Sequence, residues 1–259
     1  MLTLVQFRHS PYNEKVRWAL DLKGVAHERR SLLPGPHIAK VKALTGRTST
    51  PVLVADGVAL DGSAAIVAWL EERFPEPRLV PSEESLRDEA LAIERRFDED
   101  LTPRIRRPVL DALLSAPSYF AAVFGEGASA LARFGYACVV PLAGPLVRKG
   151  NGIRDEASIE DGHRAASAAL DLVAERGARS GYLVGDALSI ADIAAASALA
   201  MLVRPEDSPM AAPRPVAARY RALMERYAAH PGADWVRRIY RAHRVRRSDF
   251  DGPSDRVAR

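Results

Sequence analysis

Three prolines between positions 75 and 81 divide this chain into two stretches of different pattern. Before them, short apolar segments alternate with amphipathic ones; after them, nearly every segment repeats with helical period. Because proline lacks a backbone N–H and disfavours the interior of helices and sheets, such a cluster is typical of a linker. We therefore predict one domain over residues 1–77, a second over 82–247, and a basic, polar tail over 248–259 that is a candidate for disorder.

The first domain is predicted to be α/β, with the order β-α-β-α-β-β-α. Its expected strands cover 2–7, 27–32, 51–54 and 58–60, and its expected helices follow Ser10 and cover 37–44 and 63–74. The helix that joins the first two strands predicts a parallel pair. The Asp56-Gly57 turn predicts that the last two strands form an antiparallel hairpin.

The second domain is predicted to be all-helical. Its helices are expected over 82–101, 156–176, 189–203, 214–229 and 232–247, and Gly177 is the expected stop of the second. Prolines interrupt the pattern between 103 and 155, where no boundaries are predicted. The longest uncharged run, Phe134 to Val147, is shorter than a membrane span, so no membrane partner is expected. Ser189 and Asp192 form a predicted capping box with a structural role.

The single cysteine, Cys138, excludes an intramolecular disulfide. This fits a reducing compartment and predicts a cytoplasmic protein. A lone cysteine in a helical domain is more often a small buried hydrophobe than a nucleophile. No site of several thiolates can form, and the six histidines show no closely spaced pair of ligands, so no metal is expected.

The net charge of +4 is concentrated near the C-terminus, where six arginines fall between 237 and 247. A nucleic-acid surface is one interpretation. A solvated last helix is the better one, because no aromatic residues are interleaved with the arginines. Nucleic acid is therefore an unlikely partner.

The segment Ser10-Pro11-Tyr12-Asn13 places a hydroxyl between the first strand and the first helix. Ser10 is the expected N-cap, and Pro11 fits the first helical position, where a missing N–H costs nothing. A helix N-terminus attracts anions, so a hydroxyl there can also donate to a thiolate, phosphate or carboxylate. From this segment alone, a simple cap and a binding site both remain open.

Four segments together resemble the soluble glutathione S-transferase superfamily, in its bacterial form with serine at the reactive position. They are Ser10-Pro11-Tyr12-Asn13, Thr50-Pro51-Val52-Leu53, Leu60-Asp61-Gly62-Ser63 and Tyr182-Leu183-Val184-Gly185-Asp186 with the capping box after it. The resemblance covers about residues 1–245. It implies a thioredoxin-like domain that binds glutathione, followed by an all-helical domain.

The resemblance also implies roles for individual residues. Ser10 would stabilise the glutathione thiolate for attack on an electrophilic small molecule, with Tyr12 as the alternative donor. The residues expected to bind glutathione are Tyr12, Asn13, His37, Thr50, Pro51, Asp61 and Ser63. The Thr50–Pro51 bond would be cis, and serine in place of cysteine at position 10 argues against thiol–disulfide exchange.

One departure weakens this assignment. Gly62 stands where the family usually has an acidic residue directly before the serine. A protein that binds or scaffolds without catalysis therefore remains the alternative to a detoxifying transferase. The resemblance further implies a homodimer, glutathione as co-substrate without a metal, and an apolar electrophile as the second substrate.

Overall fold

The computed structural model describes residues 2–126, 129–210 and 212–244, and the backbone of 252–253. The first domain holds β1 (Leu2–Gln6), α1 (Pro11–Leu22), β2 (His27–Ser31), α2 (His37–Thr45), β3 (Val52–Ala55), β4 (Val58–Asp61) and α3 (Ser63–Arg73). The second holds α4 (Glu84–Arg96), a π-helical turn (Phe97–Leu101), α5 (Thr102–Leu114), α6 (Pro117–Phe124), α7 (Ala130–Gly150), α8 (Glu156–Ser180), α9 (Ile190–Val203), α10 (Ala218–Tyr227) and α11 (Pro231–His243). Of the predicted tail over 248–259, only β5 (Gly252–Pro253) lies within the described residues.

The sheet has the strand order β4-β3-β1-β2-β5. β1 runs parallel to β2 and antiparallel to β3, and β3 forms an antiparallel hairpin with β4. The predicted fold class, a thioredoxin-like α/β domain followed by an all-helical domain, is confirmed. The register pairs Val5 with Val52 and Val52 with Asp61, so the end of β1, the start of β3 and the end of β4 share one edge.

α9 is the central helix of the second domain, and every one of its residues is buried. The predicted capping box starts it: the Asp192 carboxylate accepts hydrogen bonds from the Ser189 backbone N–H and hydroxyl, both at 2.9 Å. The other carboxylate oxygen accepts from the Leu183 N–H at 2.8 Å. Burial raises the pKa of Asp192, while these donors favour its charged form. The box therefore also fixes the loop before the helix.

The prediction that prolines end the first helix of this domain near residue 101 is wrong. The chain continues from α4 through the π-helical turn into α5, with Pro103 in the first turn of α5 and Pro108 inside it. Pro108 has no N–H for the Arg104 carbonyl, and α8 crosses at this point. A Cβ on Gly162 would lie 2.4 Å from the Pro108 ring and 2.6 Å from that carbonyl. The glycine therefore lets α8 cover the break.

Gly177 does not stop α8, which runs three residues further and ends before Gly181 at φ 95°. A Cβ at position 177 would lie 2.2 Å from the Trp235 ring. The glycine is thus explained by the close approach of α11 to α8 and not by helix termination.

α7 differs from the expectation for its region. It is one helix of 21 residues that contains Pro141 and Pro145. Among the helices of the described residues, it alone is long and apolar enough to cross a membrane by length and composition, and almost none of it is buried. The expectation that this run is too short is therefore wrong, and so is the expected burial of Cys138, which is exposed.

Candidate active site

The predicted site residues converge on the shared edge of the sheet. The Asn13 side-chain amide donates to the Thr50 hydroxyl at 3.1 Å, which ties the start of α1 to the turn before β3. The Thr50–Pro51 bond is cis, as the resemblance implies. The Gly62 N–H donates to the Pro51 carbonyl at 3.2 Å and ties the start of α3 to the same turn.

Ser10 is the N-cap of α1 by backbone geometry, with φ −129° and ψ 129°. Its carbonyl accepts the first helical hydrogen bond, from the Glu14 N–H at 2.9 Å. Its side chain makes no capping hydrogen bond. The hydroxyl therefore lies beside the positive end of α1 without serving the helix as a cap.

Arg17 holds the loop that presents Ser10. Its guanidinium donates to the carbonyls of Phe7 at 3.2 Å and Arg8 at 2.9 Å, and pairs with Glu14 at 2.8 Å. Burial lowers the pKa of Arg17, and the charge of Glu14 opposes this. We did not predict this role from the sequence; charged residues on the buried side of an otherwise apolar helix were the only signal.

The Tyr12 side chain contacts the second domain. Its hydroxyl donates to the backbone carbonyl of Asp98 at 2.9 Å. Burial raises the pKa of Tyr12 to about 12, with the Asp98 charge acting in the same direction and Arg106 opposing it. The Tyr12 phenol is therefore uncharged at neutral pH and already donates its proton to a backbone carbonyl.

A buried ionic cluster lies at the start of α3. The Ser63 hydroxyl is 3.4 Å from the Asp98 carboxylate, which also accepts from Lys15. Lys15 pairs with Glu94 at 2.9 Å as well, and the lysine side chain is only 1% exposed. Burial raises the pKa of Glu94, and Lys15 opposes this. Ser63 was predicted, whereas the three charged residues were not, because no local pattern links them.

Gly62 precedes Ser63 with φ +88°. This left-handed backbone favours glycine over residues with a Cβ, which accounts for the glycine at this position. Asp61, one residue earlier, pairs with Arg47 at 3.2 Å on the surface. The carboxylate that reaches Ser63 is therefore that of Asp98 and not that of the neighbouring residue.

His37 bridges two loops. Its Nδ1 accepts from the Gly35 N–H at 3.0 Å, so Nε2 carries the proton and donates to the Thr48 carbonyl at 2.9 Å. Burial lowers the pKa of His37. Both ring nitrogens are engaged here, and the predicted contact of His37 with the glycyl carboxylate of glutathione stays a prediction.

An apolar cavity of about 330 Å³ lies between the loop after β2 and the helices α5 to α7. Its lining includes Leu33, Leu114, Phe120, Tyr136, Val140 and Val147. The Tyr136 hydroxyl donates a hydrogen bond to the Pro34 carbonyl at 2.9 Å. Phe120 packs on Phe124, which in turn contacts His9, the residue before Ser10. The cavity is thus connected by aromatic contacts to the loop that carries the Ser10 hydroxyl.

No group of three or more histidine, cysteine, aspartate or glutamate side chains is placed to hold a metal ion within the described residues.

Residues 4–78 match the family description "Glutathione S-transferase, N-terminal domain", and residues 156–235 match "Glutathione S-transferase, C-terminal domain". The chain belongs to the glutathione S-transferase superfamily. The two matches cover more than half of the chain, and neither includes residues 79–155, which hold α4 to α7.

Relatives of this glutathione S-transferase family member include a maleylpyruvate isomerase from a Ralstonia species, 32% identical over 43% of this chain and 54% of that protein. The chain spans about half the length of the curated relatives that it matches. Among solved structures, a glutathione S-transferase from Rhodospirillum rubrum F11 aligns with a TM-score of 0.62 at 21% identity, covering 98% of this chain and 97% of the other. One from Methylobacillus flagellatus KT, solved with glutathione bound, aligns with a TM-score of 0.59 at 20% identity over 96% of each chain.

Proposed function

We propose that this protein is a glutathione-dependent enzyme that activates the glutathione thiol for attack on an electrophilic carbon of a small molecule. The sulfur–carbon bond forms as the thiolate attacks, and the leaving group or the displaced π electrons take up the negative charge. The thiol proton passes to solvent. Glutathione acts as co-substrate, and no metal is needed for this step.

The position of the Ser10 hydroxyl carries the proposal. It lies at the N-terminus of α1 and makes no capping hydrogen bond. Free thiols have a pKa of about 8.5, so only a small fraction is thiolate at neutral pH. A hydroxyl donor and the helix terminus both favour the charged form, and a fall of one to two pKa units corresponds to about 1.4–2.7 kcal/mol.

The cluster at the start of α3 supports binding of the γ-glutamyl end, which carries an ammonium and a carboxylate group. The carboxylate of Asp98 suits the ammonium, and the hydroxyl and first N–H groups at Ser63 suit the carboxylate. Asp98 would then replace the acidic residue that is missing at position 62.

The apolar cavity beside α7 supports an apolar second substrate, because it offers shape and apolar surface but few polar groups. The name of the maleylpyruvate isomerase relative suggests that one reaction of this kind is an isomerisation. The proposal also includes a homodimer and a cytoplasmic location, for which the family resemblance is the support. A non-catalytic binding protein is the alternative, and Gly62 is the observation that favours it.

The test compares Ser10→Ala with Tyr12→Phe. Titration of bound glutathione, followed by the ultraviolet absorbance of the thiolate, should show a thiol pKa higher by about one unit in Ser10→Ala, which keeps the helix terminus, and conjugation of an aryl halide at neutral pH should fall by about tenfold. Tyr12→Phe should leave both nearly unchanged, since its hydroxyl serves the Asp98 carbonyl. Loss of thiolate only in Tyr12→Phe would transfer the role to Tyr12, and absence of glutathione binding to the unmodified protein would support the alternative.

A further inference from the structure

α7 carries most of the large apolar side chains that are exposed to solvent. Of the eight such side chains among the described residues, five lie on this helix, and they are between 53% and 82% exposed. The five are Leu131, Phe134, Val139, Leu142 and Leu146. Large contiguous apolar patches are uncommon on soluble monomers and mark surfaces that meet a protein or a membrane. The exposed side of α7 is therefore a candidate for one of these two partners.

Four of these side chains form a stripe along one side of the helix. Together with Cys138, they recur at intervals of three and four residues, which is the spacing of helical neighbours. The buried residue Val140 lies about half a turn away, on the side that packs against the protein. We call the following residues the outer stripe: Leu131, Phe134, Cys138, Leu142 and Leu146.

The opposite side of α7 is held by the rest of the protein. The Tyr136 hydroxyl donates to the Pro34 carbonyl at 2.9 Å. Near the end of the helix, Arg148 pairs with the buried carboxylate of Asp111. Helices that lie on membranes usually combine an apolar face with a strongly charged face that stays in water. Here the protein body covers the second face, so α7 needs no charged face to present the outer stripe to a surface.

The exposed side of α7 offers almost no hydrogen-bonding side chains. Between residues 134 and 147, the sequence has a side-chain O–H or S–H group only at Tyr136 and Cys138, and no side-chain N–H group. The Tyr136 hydroxyl is already bound to Pro34, and a thiol is a weak donor. A protein–protein interface carries about one hydrogen bond per 100–200 Å². Acyl chains require none, so a lipid surface matches this face better than a protein does.

The charges on α7 favour an anionic surface. The helix has no acidic residue, and its cations lie at its two ends, Arg133 before the apolar run and Arg148 and Lys149 after it. Lys149 is exposed and follows Leu146 by three residues, so it extends the outer stripe. Each cation close to an anionic membrane strengthens binding by about fivefold. A second copy of α7, with cations at the same places and no acidic residue, offers no such attraction.

α7 has the composition of a membrane helix but the packing of one that lies on the surface. It is long and apolar enough to cross a bilayer, and unlike the core helix of a soluble domain it is almost entirely unburied. One side, however, is fixed to the protein, and Pro141 and Pro145 leave the carbonyls of Ala137 and Pro141 without a helical N–H donor. Water can satisfy these carbonyls at the level of the lipid headgroups but not in hydrocarbon.

We propose that α7 docks this protein on an anionic lipid surface. The outer stripe enters the boundary between headgroups and acyl chains, to a depth of about 5–10 Å, and Lys149 lies among the headgroups. This contact goes beyond the proposed function and does not depend on the glutathione chemistry. The expectation of no membrane partner concerned a helix that crosses the bilayer, whereas the proposed contact is with its surface.

The test is flotation of the full protein with vesicles of equimolar phosphatidylserine and phosphatidylcholine, and with vesicles of phosphatidylcholine alone. The unmodified protein should float with the anionic vesicles, and high salt should weaken this binding. Leu142→Glu removes an apolar side chain from the outer stripe and should lower the partition coefficient by about tenfold or more. Lys149→Gln should lower it about fivefold on the anionic vesicles and leave binding to the neutral ones nearly unchanged.

Val58→Glu is the matched control for Leu142→Glu. Val58 is 64% exposed on β4, so this variant makes the same change of charge at an apolar surface position outside α7. It should float nearly as well as the unmodified protein. Thermal melting followed by circular dichroism checks that all variants fold.

Cys138 provides a second measurement, since it is the only cysteine, is exposed and lies within the outer stripe. An environment-sensitive maleimide dye attached to it should shift its emission to shorter wavelength when anionic vesicles are added. Absence of binding by the unmodified protein, equal losses in Leu142→Glu and Val58→Glu, or an unshifted emission would each overturn the proposal. A lower solution mass of Leu142→Glu by sedimentation velocity, without vesicles, would assign the outer stripe to a second copy instead. Loss of glutathione binding affects none of these results.

Discussion

Gly62 shows how a single backbone angle limits the chemistry that a site can carry. At φ +88° a residue with a Cβ is strained, so an acidic residue there would cost about 1–3 kcal/mol. Among the described residues, the carboxylate that lies within 3.4 Å of the Ser63 hydroxyl is that of Asp98, in the second domain. In the proposed site, the carboxylate for the γ-glutamyl ammonium group is therefore that of Asp98.

We expect Gly62→Glu to lower the free energy of unfolding by about 1–3 kcal/mol and to tighten glutathione binding several-fold, because a second carboxylate would meet the γ-glutamyl ammonium group. Gly57→Glu is the matched control: φ is +86° there and a Cβ would meet nothing within 4 Å. It should show the same loss of stability, by urea denaturation, with unchanged affinity by calorimetry. Equal affinity in both variants would argue against an ammonium site at the start of α3.

At the scale of elements, the π-helical turn joins the two halves of the site. It lies between α4 and α5, buries Phe97 and Leu101, and directs Asp98 at both Lys15 and Ser63. π-Turns are rare and often occur at functional sites. The backbone carbonyl of Asp98 also accepts a hydrogen bond from the Tyr12 hydroxyl. The π-helical turn therefore both positions the Asp98 side chain and anchors α1.

Asp98→Asn should raise the KM for glutathione about tenfold or more while kcat at saturating glutathione changes little, because the lost charge acts in binding and not on the sulfur. Asp100→Asn is the control on the same turn: its carboxylate is 52% exposed and pairs with Arg104 at the surface. It should leave both constants unchanged. A fall in kcat with constant KM in Asp98→Asn would place Asp98 in the chemical step instead.

Local patterns were enough to predict most elements of the first domain and the cap at Ser189. Turns, caps and helical periodicity each depend on residues that are only a few positions apart in the sequence. These local patterns failed where a distant helix decides the outcome. Gly177 does not end α8, because the glycine makes room for Trp235 of α11, which no local pattern reveals. The α5 prolines do not end their helix, because Gly162 lets the distant α8 pack over Pro108. The ionic cluster at the start of α3 was not predicted, because Lys15 lies 79 residues from Glu94 and 83 residues from Asp98 along the chain.

Over the whole molecule, the end of the helical domain is fixed to the first domain by a buried ionic group. Arg244, just after α11, pairs with Glu14 and Asp21 of α1, both at 2.8 Å, and all three side chains are buried. Asp21 also pairs with Arg29 at 2.5 Å. Burial alone would raise the pKa of Asp21, but the charges of Arg244 and Arg29 hold it below its usual value.

Arg244→Met should lower the free energy of unfolding by about 3–5 kcal/mol at neutral pH, since it leaves buried carboxylates without this partner. Because the pKa of Asp21 is lowered by folding, its stabilising effect is complete above the unfolded value of about 3.9 and is lost as pH falls through the folded value. The free energy of unfolding, measured by urea denaturation, should therefore differ between the unmodified protein and Arg244→Met by a constant amount near neutral pH. This difference should shrink below about pH 4.

Arg237→Met is the control for this change: Arg237 lies on α11, two turns before Arg244, and its partner Asp234 has a side chain that is 76% exposed. It should cost no more than about 1 kcal/mol. A similar loss in the two variants would show that Arg244 contributes packing rather than charge pairing.

The pairing of Arg244 with α1 has a consequence for synthesis of the protein. Glu14 and Asp21 leave the ribosome some 220 residues before the arginine that neutralises them, as the separations of 230 and 223 residues require. Nascent chains fold from the N-terminus as they emerge, yet here the leading domain holds two carboxylates that its own sequence only partly compensates. We therefore expect the first domain to reach its full stability only after Arg244 has been translated.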